Sequence, residues 1–259
     1  MSARAFLAAS LLGLPALARA QYPSLRSADT RTATPENVMG ARKEWGADLS
    51  YGGSFNRGNV DTNFISSGFD LFKAFGQDTG YLNGSLIYNT FNHVRVLNQG
   101  SVTARYDHPV SGPWKVFVFN TNAYNEFIQL DYRETVGAGP WYDLALGPTK
   151  HGLSLALYQE HERFKGGVYQ DNVRVSFRDV SLFPISDVAS LRTDFFYAPR
   201  VDRFADNHIF FQADFESLFY KKLLGLKLSF IDEYDSRPRP RIKRNDTIWL
   251  TSLAVHLGK

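Results

Sequence analysis

One pattern constrains this chain more than any other: apolar and polar residues alternate, strand after strand, along nearly its whole length. Near the C-terminus, Leu224, Leu226, Leu228 and Phe230 share one parity, while Gly225, Lys227, Ser229, Ile231 and Glu233 share the other. A period of two marks a β-strand with two unlike faces. The return arm sets Trp249, Leu253, Val255 and Leu257 against Ser252, Ala254 and His256. Between the arms runs a basic loop from Tyr234 to Asn245, which Pro238 and Pro240 keep out of any ladder. At the other end, Trp45, Ala47, Leu49, Tyr51, Gly53 and Phe55 alternate with Gly46, Asp48, Ser50, Gly52 and Ser54. The chain then turns at 56–59, and Ile65, Phe69, Leu71 and Phe75 oppose Thr62, Ser66 and Asp70. The same rhythm predicts strands at 80–91, 94–107, 114–124, 131–145, 152–162, 171–181, 188–198, 207–220, 223–234 and 246–257. That makes about twelve strands in one all-β domain.

The connections come in two kinds. Short turns are expected at 76–79, 108–113, 146–151, 182–187 and 221–222, and longer or more charged loops at 125–130, 163–170, 199–206 and 235–245. Short turns on one side and long loops on the other are the layout of a transmembrane antiparallel up-and-down β-barrel. Many strands reach ten residues or more, which suits a tilted bilayer crossing. Aromatic residues make up 15% of the 259 residues. Trp45, Phe75, Tyr106, Tyr142 and Phe219 all fall on the apolar parity beside an expected short turn, where an interfacial girdle of rings belongs.

The second parity is polar and carries both signs. Arg95, Arg105, Arg133, Arg174, Arg178, Arg192 and Lys227 share it with Asp48, Asp70, Glu160, Glu162, Asp194, Asp214, Glu216 and Glu233. On a lipid-facing wall each cation would cost roughly 2–4 kcal/mol at the bilayer midplane, so this parity is expected to face the lumen. Seven cations among eight anions predict mutual pairing and a constricted pore. Glu134 has the opposite parity, which suits an outer rim or a bulge.

Residues 1–20 have the form of a secretory signal peptide, with Arg4, an apolar run from Phe6 to Leu17 and Ala18-Arg-Ala20 before a cleavage expected ahead of Gln21. Residues 21–43 read as a flexible periplasmic leader, and the barrel is expected over 44–257. The chain has no cysteine, which removes disulfides, thiol catalysis and Cys-ligated zinc. A net charge of +3 is too small to imply nucleic acid.

Several motifs carry a family resemblance. Gly58-Asn-Val-Asp-Thr62 follows the Gly-rich first strand, and Tyr124-Asn-Glu-Phe127 precedes Arg133 and Gly137-Ala-Gly139. The chain closes with Tyr234-Asp-Ser-Arg-Pro238, a basic loop and Asn245-Asp-Thr247. Over 44–257 the pattern resembles the YdiY-like family, called salt-induced outer-membrane proteins and classed as a domain of unknown function. The resemblance implies a bacterial outer-membrane barrel and no catalytic residues. Barrels of this kind usually end in an aromatic residue that the barrel-assembly machinery reads. Here Val255-His-Leu-Gly-Lys259 stands in that place, so Leu257 or an internal signal would serve.

No nucleophile elbow surrounds any of the six histidines, at 93, 108, 151, 161, 208 and 256. His161-Glu162 with His208, or Asp202 with Asp206 and Asn207, lack the spacing of a metal site. No cofactor is expected. Gly52, Gly53, Gly137 and Gly139 are expected to let the wall coil or a bulky lumen side chain lie against it. Arg200, Arg203, Arg237, Arg239, Arg241, Lys243 and Arg244 gather in two neighbouring outer loops, where they would meet lipopolysaccharide phosphates or form a solvated charge run. The expected function is therefore a non-enzymatic envelope barrel, either a narrow channel or a structural one. An outer-membrane enzyme acting on lipid and a soluble periplasmic β-protein are the alternatives.

Overall fold

The computed structural model describes residues 44–56, 62–220, 223–239 and 242–258. The expected signal peptide and leader, the turn at 57–59, the 221–222 turn and Arg241 lie outside them. Twelve strands follow in order: β1 (Trp45–Asn56), β2 (Thr62–Phe75), β3 (Asp78–Phe91), β4 (Val94–Ser111), β5 (Trp114–Asn125) and β6 (Leu130–Leu146). Then come β7 (Thr149–Phe164), β8 (Val168–Ser186), β9 (Ala189–Arg200), β10 (Arg203–Phe219), β11 (Leu224–Asp235) and β12 (Asn245–Gly258). Each strand pairs antiparallel with its neighbours in sequence, and β12 returns to β1 to close the barrel. Closure satisfies the backbone without help from water, which lipid requires.

The two faces of the wall sort as the alternation demands. Leu49, Leu82, Val118, Leu157, Phe195, Leu226 and Leu253 point outward and are exposed. Trp45, Phe75, Tyr106 and Phe219 are exposed near the short-turn end, with Tyr142 half-buried beside Trp114.

Three features differ from the expectations. First, the wall is taller. The expected loops 125–130, 163–170 and 199–206 shrink to turns of 126–129, 165–167 and 201–202, because the strands on either side run on, β7, β9 and β10 through charged sequence. Charge there reflects a ladder that outruns the bilayer, not a break in the ladder. The β3–β4 connection is as tight, with Asn92 and His93 both at positive φ as a two-residue hairpin turn requires. Second, the inward parity is not only polar. Phe72, Tyr81, Ile87, Leu97, Phe117, Phe119, Trp141, Tyr158, Val180, Phe196, Phe210, Ile231 and Ile248 form one buried apolar cluster inside the barrel. Gly137 permits part of it: a Cβ there would stand 2.7 Å from the Phe119 ring, so the ring lies against bare backbone.

The third feature is the seam. β1 pairs with β2 along its full length, from Trp45↔Lys73 to Asn56↔Thr62. Against β12 it pairs only from Gly46↔Gly258 to Tyr51↔Leu253, although both strands run on beyond that point. Asp48 and His256 face each other in this short ladder. His256 bonds Asp48 through Nδ1 at 2.8 Å and Glu216 of β10 through Nε2 at 2.9 Å.

Candidate lumen and outer mouth

At mid-height the inward side chains are largely buried. Aromatic rings dominate the side built from β2 to β7. Phe117 and Phe119 stack with centroids 6.0 Å apart, Trp141 meets Phe117 edge-on at 6.4 Å, and Tyr158 meets Phe119 at 6.3 Å. Such offset and edge-on contacts add to area burial. Arg105 is built into this stack, its guanidinium carbon 4.0 Å from the Phe117 centroid and 4.6 Å from that of Trp141, while Nε and Nη2 donate to Asp107. Cation–π contact and a bidentate carboxylate together make a buried guanidinium tolerable.

The opposite side, from β8 to β11, holds ion pairs at the same depth. Arg178 donates from Nε and Nη2 to Asp194 at 2.8 and 2.6 Å. Lys227 lies 3.0 Å from Asp214, which also accepts from Gln212, and Arg192 stands opposite Asp214 in the β9–β10 register.

Toward the end opposite the short turns, charge takes over. Arg133 of β6 donates from Nε to Glu162 of β7 at 2.9 Å, with a second bond from Nη2, and its Nε lies 3.5 Å from Glu160. Arg174 of β8 donates to Glu160 at 3.1 Å, to Asp206 at 3.1 Å and to the carbonyls of Ala198 and Asp206. All of these residues are buried. Above them, Arg237, Arg239 and Ile242 line the opening. Ile242 packs on Ile128, Leu130 and Phe164, and the Arg239 guanidinium lies 4.3 Å from the Phe164 centroid.

The residues singled out in the sequence are thus dispersed. Arg105, Arg133, Asp194 and Asp214 are buried on the inward face, Arg192 is half-buried there, and Glu216 serves the seam through His256. Arg95 is not a lumen charge. A register shift after Asn89 puts it opposite Thr90, and its side chain, 51% exposed, bonds Glu126 at 2.9 Å on the rim. Glu126 also accepts from Asn98, and that bond holds its carboxyl below the usual range. Glu134 faces outward and accepts from Asn120 at 2.9 Å. Among the rim cations, Arg200 is tied to Asp202 at 2.7 Å and faces Asp206 at 3.5 Å, and its hydrogen bonds hold the Asp202 carboxyl low. Arg239 turns into the mouth, whereas Arg203, Arg237, Lys243 and Arg244 are exposed. Sequence reasoning missed the mouth's Asp206, His208 and Asp235, because two of them fall in stretches read as loop or loop edge.

His161 and His208 sit on opposite faces of the wall, so they do not meet: His161 bonds Asp171 outside, and His208 faces Asp235 inside at 3.8 Å. One outward cluster has the composition of a hydrolytic triad. Ser181 Oγ donates to Asp179 at 2.8 Å and lies 2.7 Å from His151 Nδ1. The same ring nitrogen faces Asp179 at 3.5 Å, so the imidazole does not bridge acid to serine through its two nitrogens, and Ser181 is 2% exposed.

A closed barrel of twelve antiparallel strands, apolar outside and girdled by rings, is a membrane-spanning β-barrel of the outer-membrane type. The chain belongs to the family described as "Protein of unknown function, DUF481", whose model matches residues 49–256. No curated protein matches it. Among solved structures it is similar to the NanC porin, at 10% identity and a TM-score of 0.46 over 83% of this chain and 98% of that one. It is similar to the KdgM porin at 8% identity and a TM-score of 0.45, over 82% and 98%. The translocator domain of the autotransporter NalP from Neisseria meningitidis gives 10% identity and 0.42, over 82% and 86%.

Proposed function

We propose that the protein is a non-enzymatic barrel of the bacterial outer membrane whose lumen is closed at rest, so that it conducts little or serves the envelope structurally. One observation carries this reading: inward side chains on every strand from β2 to β12 are buried, with Tyr158 and Phe196 at 1% and 0% exposure. An aqueous pore would leave them wet. The outward Ser181 cluster supports the non-enzymatic reading, since it offers no accessible nucleophile. Planar-bilayer recording of the refolded protein tests it. Conductance should be low, and replacing Phe117, Phe119 and Phe196 by Ala should raise it. Large, steady conductance in the unmodified protein would refute the closed lumen.

A second part of the reading concerns the rim. The exposed cations Arg203, Arg237, Lys243 and Arg244 support contact with lipopolysaccharide phosphates, since guanidinium groups bind phosphate bidentately. Changing these four to Gln should weaken lipopolysaccharide binding and flatten its salt dependence. Export would follow the 1–20 signal, and insertion the barrel-assembly machinery. Recovery of the mature chain in the soluble fraction without detergent would overturn the location.

A further inference from the structure

We propose that the cavity beneath Arg239 and Ile242 is a binding site for a small oxyanion, which clamps the segment carrying Arg239 onto the barrel wall. The cavity itself measures about 50 Å³, or about 450 Å³ with its open mouth counted, and Arg133, Phe164, Arg174, Arg237 and Arg239 contribute to its lining. Beside His208, whose imidazole can donate or accept, the hydrogen-bonding capacity left inside it is that of donors. Arg133 spends Nε and Nη2 on Glu162, but its Nη1 is buried with no hydrogen-bond partner. Arg239 carries a second buried Nη1 with no partner. One guanidinium is fixed in β6; the other rides on the segment over the mouth.

The carboxylates that line it are already committed. Glu162 holds Arg133, Asp206 holds Arg174 and faces Arg200, and Asp235 accepts from the Arg237 backbone N–H at 2.8 Å and faces His208. What completes such a site is an acceptor with negative charge, because buried donors seek partners and charge-assisted bonds are the strongest available. A carboxylate or phosphate reaching both Nη1 atoms would join wall to segment. The enclosing carboxylates and the cavity's size select a small ion over a bulky polyanion.

Tryptic cleavage reads the clamp directly. The segment offers trypsin Arg241, Lys243 and Arg244, while Pro238 and Pro240 protect the bonds after Arg237 and Arg239. The refolded full chain, in detergent free of lipopolysaccharide, is digested in sodium phosphate, sodium acetate or sodium chloride at equal ionic strength, and cuts at 241–244 are followed by mass spectrometry. If cleavage tracks the open population, phosphate or acetate should slow it about tenfold at roughly ten times the dissociation constant. Arg239→Gln, on the segment rather than the wall, should keep the heat-dependent gel shift of a folded barrel and abolish the anion effect. Phe164→Leu, which removes the ring under Arg239, should speed cleavage yet keep the effect. Equal cleavage in all three salts would overturn the proposal, leaving water in the cavity. So would protection by added lipopolysaccharide alone, or an anion effect that survives in Arg239→Gln; either would assign the anion to the outer rim.

Discussion

At mid-height, Phe117, Phe119, Trp141 and Tyr158 meet ring to ring, and the inside of the barrel is closed by shape. A few residues farther along the same strands, Arg133, Glu160, Glu162 and Arg174 close it by charge. The two regions lie on one continuous wall and both exclude water, yet they respond differently to change. Apolar packing is non-directional, and a lost methyl group is felt in proportion to the void it leaves. A buried ionic network is directional, and removing one member strands the rest.

Six variants and a pH series sharpen or break this contrast. Arg174→Met leaves Glu160 and Asp206 with only Arg133 and Arg200, each 3.5 Å away, as counter-charges, and should cost up to about 3–5 kcal/mol in urea unfolding of the refolded barrel. Adding Glu160→Gln should recover part of that loss, since fewer charges are stranded; no recovery would mean that Arg174 acts through packing. In the apolar region, Phe196→Ala should cost about 3–5 kcal/mol with no single charge change that rescues it.

The outer face gives the next effect. Leu226→Arg, aimed at lipid, should cost roughly 2–4 kcal/mol if it lies near the midplane, against about 0–1 kcal/mol for Val94→Arg at the rim. Equal costs would mean that the bilayer sits elsewhere on the wall. The smallest effect belongs to Glu126→Gln, which loosens an exposed rim contact to Arg95 worth roughly 0.2–1 kcal/mol. The folded Glu126 carboxyl titrates below its ordinary value, so the stabilisation is present above the unfolded glutamate range near about 4.3 and fades as pH falls through the lower folded value. Melting wild type and variant from neutral to acidic pH should show a constant gap that closes only at the acid end.

Strand existence, order and the lipid-facing parity were legible in the sequence, because one wall between two unlike media imposes a clean period of two. The inner core was not. In Trp114–Asn125, Val116 and Val118 point out while Phe117 and Phe119 point in, so both faces read as apolar and alternation carries no signal. Arg95 was misplaced because a bulge adds a residue without leaving a mark in composition. The outer turns looked like loops because Arg163, Arg203 and Asp206 are charged, although their backbones remain in the strands. That Arg239 folds inward while Lys243 stays outside depends on Ile242 finding Ile128 and Phe164, a contact more than a hundred residues apart in sequence for one partner and invisible to local pattern.

The short β1–β12 ladder has a kinetic consequence. Every other strand pair joins neighbours in sequence, whereas the Asp48–His256 bond joins residues 208 apart. The chain entropy surrendered to close that circle is the largest in the molecule, and the ladder that compensates runs only from Gly46 to Tyr51. The ring should therefore be completed last during insertion. The same junction, fastened at one end, is where unfolding should begin, so a cross-link over Leu49 and Val255 would slow unfolding more than one placed between any two strands adjacent in sequence.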